Sequence, residues 1–161
     1  SAMESGAIET IYRENRQALY TLALSITRCE AAAEDSIQQA FLSVQKAKST
    51  PQGDSVAFVF RCVRNAAIDQ HRKRTQRDDA HASIFNGYVP PSQAEMADVD
   101  ARIRDAIRGL KDEVRQIVLL KAFSDLTYKQ ISSVVGVPEK TAATIYRRAL
   151  QALSQKLKGQ L

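Results

Sequence analysis

The chain has 161 residues, a formal net charge of +5 and a hydrophobic fraction of 44%, which is enough to close one or two hydrophobic cores and argues against disorder throughout. Cys29 and Cys62 lack a C-x-x-C spacing, so a disulfide framework or a cysteine-rich zinc site finds no support, and we expect two buried structural thiols. No apolar run approaches the roughly 20 residues that span a bilayer, and no leader-like segment is visible, which predicts a cytoplasmic protein without membrane insertion. Ser1-Ala2 resembles the remnant of a cleaved tag, so natural numbering is expected from Met3.

The first part of the chain predicts a bundle of amphipathic helices. Apolar residues recur at helical spacing within 8–26 and again within 37–44. A cluster of turn formers follows, and either Asp54 or Ser55 at its end can cap a third helix that runs to about Arg77. No long stretch alternates with period two, so the sequence predicts an all-α fold.

The third predicted helix has an apolar face and a basic face. At about 100° per residue, Arg61, Asn65 and Arg72 lie within about 40° of one another, opposite the apolar residues. Cations neutralise phosphates and an asparagine can pair with unstacked bases, so this surface suits DNA. The candidate contacts here are Arg61, Arg64, Asn65, Arg72 and Lys73. Phe58 and Phe60 are either stacking platforms or core residues, and we expect at least one ring in the core.

A segment of different composition separates two basic regions. Between residues 78 and 100 there are five acids and no Lys or Arg, with an Asn-Gly and a Pro-Pro pair. This composition predicts a flexible acidic linker. We therefore divide the chain into a helical bundle at 3–77, a linker at 78–98 and a second helical domain at 99–161.

The second domain predicts a helix-turn-helix. Two helices are marked by apolar residues at 103–110 and 114–120, and two more lie within 127–150. Thr127 and Gln130 make a capping box, Gly136 can take the positive φ of the turn, and Pro138 suits the first turn of the next helix.

The last predicted helix points a basic face outward. No acid follows Glu139, whereas five basic residues do. Short helices in this arrangement also occur in bundles that never touch DNA, but this charge favours a DNA major groove. The candidate contacts are Lys140, Thr141, Thr144, Arg147 and Arg148.

Catalytic chemistry has no support in the sequence. His71 and His81 are the only histidines, and neither sits in a metal-ligand spacing. There is no Walker-type phosphate loop and no G-x-S-x-G elbow. We therefore expect no enzyme activity, no catalytic residues, no metal and no cofactor.

Three motifs in order resemble the extracytoplasmic-function (ECF) group of bacterial sigma factors, which keep only region two and region four. They are A-E-D-S-I-Q-Q-A-F (33–41), F-V-F-R-C-V-R-N-A-A-I-D-Q-H-R-K-R (58–74) and the helix-turn-helix that ends in Y-R-R-A-L. The resemblance implies a transcription-initiation factor that binds core RNA polymerase and promoter DNA and is controlled by an anti-sigma factor or another regulator.

By the same resemblance each motif has a role. Core polymerase would contact Glu34, Asp35, Gln38 and Phe41. The basic face of the third helix would lie near the melted minus-10 strand, and the last helix would read the minus-35 element in the major groove.

Some positions depart from the family pattern. Gln39 stands where an acid is common, Phe58 where Trp is common, Gln130 where Glu is usual, and Ile145 where an Arg often meets DNA. Two alternatives stay open: a sigma mimic that only binds an anti-sigma regulator, and an operator-binding regulator that uses only the helix-turn-helix.

Overall fold

A computed structural model describes residues 2–46, 53–77 and 101–159 of the chain. Within these ranges the chain forms eight α-helices and no strand, which confirms the all-α prediction. Their bounds are α1 Ala2–Glu14, α2 Arg16–Thr27, α3 Glu30–Lys46, α4 Ser55–Arg77, α5 Ala101–Arg108, α6 Asp112–Ala122, α7 Tyr128–Val135 and α8 Glu139–Lys158. The chain divides into two compact units, Ser1–Pro90 and Pro91–Leu161. The predicted linker at 78–98 lies outside the described residues.

The apolar periodicity of residues 8–26 belongs to two helices, where one continuous helix was predicted. Asn15 interrupts the helix at φ −114° and ψ 14°, and its side-chain amide donates to the carbonyl of Ile11 at 2.8 Å. An asparagine side chain can bond nearby backbone groups in this way and so competes with the helical ladder. Arg28 ends α2 in the left-handed region at φ 55°, which turns the chain into α3.

The core of the first unit lies where α2 and α3 pack on α4. Fully buried Leu19 and Leu22 come from α2, and Phe60 and Val63 come from α4. Asp54 caps α4 as predicted, since its carboxylate accepts the Ala57 N–H at 3.0 Å. This cap satisfies one of the backbone donors left free at a helix N-terminus.

The second unit packs α5, α6 and α7 around α8. Its most deeply buried residues are Ile117 and Leu120 of α6, Ile131 and Val134 of α7, and Ala142 of α8. No helix within the described ranges has the length and apolar character needed to cross a membrane.

Candidate nucleic-acid interface

Helix α4 carries its predicted basic face on the outside of the first unit. Asn65, Arg72 and Lys73 are exposed, while Arg61 and Arg64 are half-buried. The opposite face is buried through Val59, Val63 and other small apolar residues. The helix therefore holds the cationic side chains on a packed support, as the sequence pattern predicts.

The two phenylalanines of α4 have different environments. Phe60 has no exposed surface and lies in the core, which confirms that at least one ring is a core residue. Phe58 is half-buried, and the Arg61 guanidinium carbon lies 5.5 Å from its ring centroid. A cation over the face of an aromatic ring is attracted by the ring quadrupole. The pair therefore orients Arg61 beside a partly accessible aromatic surface.

One cation of this helix makes a hydrogen bond to another helix of the unit. The Nη1 of half-buried Arg74 donates to the carbonyl of Thr27 at 3.2 Å, where α2 ends. Cations are stabilised at helix C-termini, where the macrodipole is negative. This contact ties the end of α4 to the corner between α2 and α3, a role that the sequence alone did not indicate.

The two cysteines are half-buried, so the prediction of two buried thiols is wrong. Burial raises the pKa of the Cys62 thiol, and the positive charge of the neighbouring Arg61 offsets part of that shift. Cys62 sits where the apolar face of α4 meets its basic face, so its surroundings are only partly apolar. Within the described residues no group of three His, Cys, Asp or Glu side chains could hold a metal ion.

Helix α3 presents the residues proposed for polymerase docking. Glu34, Asp35 and Gln38 are exposed on one side of the helix. Phe41 is half-buried, and its ring centroid lies 5.4 Å from that of Tyr12 on α1. Leu42, which the sequence pattern did not single out, is 52% exposed. Its spacing of four residues from Gln38 could have placed it on the same face, since residues four apart are neighbours on a helix.

Gln39 contacts the first unit itself. Its side-chain oxygen accepts a hydrogen bond from the Nε2 of Gln70 on α4 at 3.3 Å. The amide that stands in place of the more common acid therefore links α3 to the basic helix. An uncharged side chain can make this bond to a neutral amide without placing a negative charge beside the basic face of α4.

The helix-turn-helix has the predicted caps. The Thr127 hydroxyl accepts the Gln130 N–H at 3.1 Å, and the Gln130 side chain accepts the Thr127 N–H at 2.8 Å. Gly136 ends α7 in the left-handed region at φ 79°. Pro138 takes the N-cap position of α8, one residue earlier than the predicted first turn, because its ψ of 150° is extended.

Two tyrosines fix α8 against the preceding helices. The rings of Tyr128 on α7 and Tyr146 on α8 meet edge to face with centroids 6.3 Å apart. The Lys121 ammonium of α6 lies 4.5 Å from the Tyr128 centroid and donates to the Leu126 carbonyl at 3.2 Å. Edge-to-face rings and cation–π pairs have preferred geometries. These contacts therefore restrict how α8 can rotate.

The outward face of α8 carries the predicted minus-35 residues. Lys140, Thr141, Arg147 and Arg148 are exposed, and Thr144 is half-buried. The inward stripe is buried through Ala142, Ala149 and Leu153, with half-buried Tyr146 beside them. Ile145 is also half-buried. At about 100° per residue it lies nearer to the inward stripe than to the centre of the outward face.

Comparisons with known proteins identify both units. Residues 11–77 match Sigma-70 region 2, and residues 100–153 match Sigma-70, region 4. The chain is 29% identical over 153 residues to the ECF RNA polymerase sigma factor SigM of Bacillus subtilis, which covers 91% of this chain and 92% of the relative. It is 27% identical over 164 residues to the ECF RNA polymerase sigma factor SigL of Mycobacterium tuberculosis, with 95% and 90% covered.

The chain belongs to the ECF group of RNA polymerase sigma factors. The region 2 match ends at Arg77, the last residue of α4. The region 4 match includes α5, α6 and α7 and ends at Leu153 within α8.

Solved structures show the same fold for this sigma factor. The sigma factor RpoE of Bartonella quintana, solved in complex with the anti-sigma factor NepR, superposes with a TM-score of 0.71 at 22% identity, covering 93% of this chain and 98% of that one. CnrH, solved in complex with the cytosolic domain of CnrY, superposes with a TM-score of 0.67 at 21% identity, covering 95% and 88%. At these identities the likeness concerns the fold.

Proposed function

We propose that this protein binds core RNA polymerase, recognises the minus-35 and minus-10 elements of promoters and promotes transcription initiation. One observation carries the proposal: each unit presents an exposed basic face opposite a buried apolar face, α4 in the first unit and α8 in the second. Membership of the ECF group supports both DNA and polymerase as partners. Polymerase carries out all covalent chemistry, so the factor itself is no enzyme, and it acts in the cytoplasm with the transcription machinery.

Core polymerase docks on α3. Its exposed acids Glu34 and Asp35 attract a basic partner surface, and Gln38 supplies hydrogen bonds. Leu42 adds an exposed apolar side chain of the kind that interfaces bury. Phe41, packed on Tyr12, supports the same face from its edge.

The minus-10 element binds along α4. Arg61, Arg72 and Lys73, with Arg64 at the flank, neutralise phosphates, and Asn65 pairs with the edge of an unstacked base. A ring such as Phe58 at this surface can stack on that base. Because the base contacts of Asn65 and Phe58 exist only with a melted strand, they shift the equilibrium from closed to open promoter.

The minus-35 element binds in its major groove to α8. Lys140, Arg147 and Arg148 supply cations, and Thr141 and Thr144 lie between them on the outward face. The N-terminal half of such a helix is the part that contacts base edges in helix-turn-helix proteins.

An anti-sigma partner controls the factor. One solved neighbour of this fold is a complex with an anti-sigma factor, and a second is a complex with a cytosolic domain. A partner that covers α3 would block the binding of polymerase, and one that covers the basic faces would block the binding of DNA. In each case the partner would occupy the same exposed side chains that polymerase or DNA contacts.

The first test is transcription in vitro by bacterial core polymerase with this protein on a library of randomised promoters, followed by sequencing of the transcript starts. We expect protein-dependent starts that share two spaced elements. Binding to core polymerase without any such starts would instead indicate a sigma mimic, and duplex binding without polymerase binding would indicate an operator-binding regulator.

Two variants test the division of labour between the units. Asn65→Ala should lower promoter opening about tenfold while leaving core binding unchanged, with Gln76→Ala on the same helix as the control. Arg147→Ala should weaken minus-35 binding and reduce the salt dependence of the binding constant by the amount expected for about one lost phosphate contact. Lys158→Ala, which removes the same charge elsewhere on α8, is the control. Equal effects of both variants on both steps would refute this assignment.

A further inference from the structure

Thr144 lies at the centre of the outward face of α8. On a helix the neighbours of a residue are those three and four positions away. For Thr144 these are Lys140, Thr141, Arg147 and Arg148, and all four are exposed, whereas Thr144 itself is half-buried. A short, uncharged side chain is thus surrounded by three long cations.

In a DNA groove, the cations and Thr144 would contact different parts of the DNA. Long cationic side chains on the two flanks reach phosphates on either side of the major groove, which positions the helix without reading sequence. The residue at the centre of the face then lies closest to the base edges. For this helix that residue is Thr144.

The chemistry of Thr144 selects one kind of base. A threonine hydroxyl can bond to donors or acceptors of any base pair, so it discriminates weakly. The γ-methyl of Thr144 is apolar, and the 5-methyl of thymine is the apolar group on the floor of the major groove. A threonine side chain cannot make the bidentate contact by which Arg or Lys recognises guanine.

We propose that Thr144 determines promoter specificity by contacting a thymine methyl group in the minus-35 element. This inference rests on the proposed function, because it requires α8 to enter the minus-35 major groove. The surrounding cations supply affinity that depends on salt, and Thr144 supplies the preference for an A·T pair at one position.

The test uses the full chain assembled with bacterial core polymerase, and duplex promoters with a fixed minus-10 element and a randomised minus-35 region. After selection by binding, each enriched thymine is replaced by uracil, which removes only the methyl group. We expect one uracil to weaken binding about fourfold, the effect of exposing a buried methyl group.

Two variants that are nearly matched in size assign the effect to an atom of Thr144. Thr144→Val keeps a methyl and loses the hydroxyl, so it should keep the fourfold uracil effect. Thr144→Ser keeps the hydroxyl and loses the methyl, so uracil and thymine should bind it equally. Unchanged uracil sensitivity in Thr144→Ser, or loss of that sensitivity in Thr144→Val, would overturn the proposal.

The outcomes separate this inference from the proposed function. If no complex with core polymerase forms, or if it selects no minus-35 sequence, the proposed function fails. If a sequence is selected but no thymine in it responds to uracil, the sigma-factor function stands and the role of Thr144 is refuted.

Discussion

Replacing Arg115 with alanine removes a buried charged side chain that makes several hydrogen bonds in the second unit. The Arg115 side chain is 7% exposed and makes at least four hydrogen bonds near the corner between α5 and α6. Nη2 donates to the carbonyls of Leu110 at 2.6 Å and Arg108 at 3.1 Å, and Nε donates to that of Ile107 at 3.4 Å. Nη1 donates to the carboxylate of Asp112 at 3.0 Å.

The cost of Arg115→Ala follows from these contacts. Each hydrogen bond to a charged group contributes about 1.5–3 kcal/mol, but water replaces some of them once the side chain is gone. The carbonyls of the corner lose their shared donor, and the truncated side chain leaves a gap between α6 and the end of α5. We therefore expect the second unit to lose about 3 kcal/mol of its free energy of unfolding, since each buried carbonyl left without a donor costs about 1–3 kcal/mol.

Hydrogen exchange measured by mass spectrometry on the full chain can test this value, because it reports each helix separately. The most protected amides of α6 and α8 should exchange roughly 100-fold faster in Arg115→Ala, whereas those of α3 and α4 should not change. Arg108→Ala is the control, since its ion pair with Asp105 is long, at 3.7 Å, and exposed. Such pairs contribute little, so we expect an acceleration of about threefold or less. Equal exchange rates in the two variants would refute the assigned role of Arg115.

Three further predictions concern local features. Thr127→Ala removes the capping box and should lower the stability of α7 by about 1 kcal/mol, which would be measured as faster amide hydrogen exchange in that helix. Unchanged exchange in α7 would contradict this prediction. Phe60→Ala should lower the free energy of unfolding of the first unit, measured with denaturant, by about 3–5 kcal/mol because that ring is fully buried. Phe58→Ala should lower it far less because that ring is only half-buried, and similar losses in the two variants would contradict this. Burial raises the pKa of the Cys62 thiol, so in a Cys29→Ser protein the alkylation rate of Cys62 should reach half its maximum at a higher pH than that of free glutathione. A midpoint at the same or a lower pH would contradict this.

Local sequence signals predicted the features of this protein that depend on neighbouring residues. The capping box at Thr127, the left-handed Gly136 and the Asp54 cap all occur as predicted, because each depends on backbone groups within three or four residues. The basic and apolar faces of α4 and α8 follow in the same way, since helical periodicity alone places residues on a common face.

Other features depend on residues that are distant in sequence. Phe58 and Phe60 are two positions apart and chemically identical, and only the packing of α2 and α3 on α4 decides which ring is buried. Arg74 looks like another member of the basic patch, yet it bonds to a carbonyl 47 residues away at the end of α2. The half-buried positions of Cys29 and Cys62 have the same origin, because exposure depends on which helices cover each side chain.

The sequence by itself determined the all-α class, the helix-turn-helix and the two basic faces, because periodicity, caps and charge are local properties of a chain. Only the tertiary structure decided that Leu42 of α3 is exposed, that Arg115 is buried and that Thr144 is half-buried among exposed cations. The physical reason is that burial is set by the helices that pack around a side chain, and no short sequence pattern specifies those neighbours.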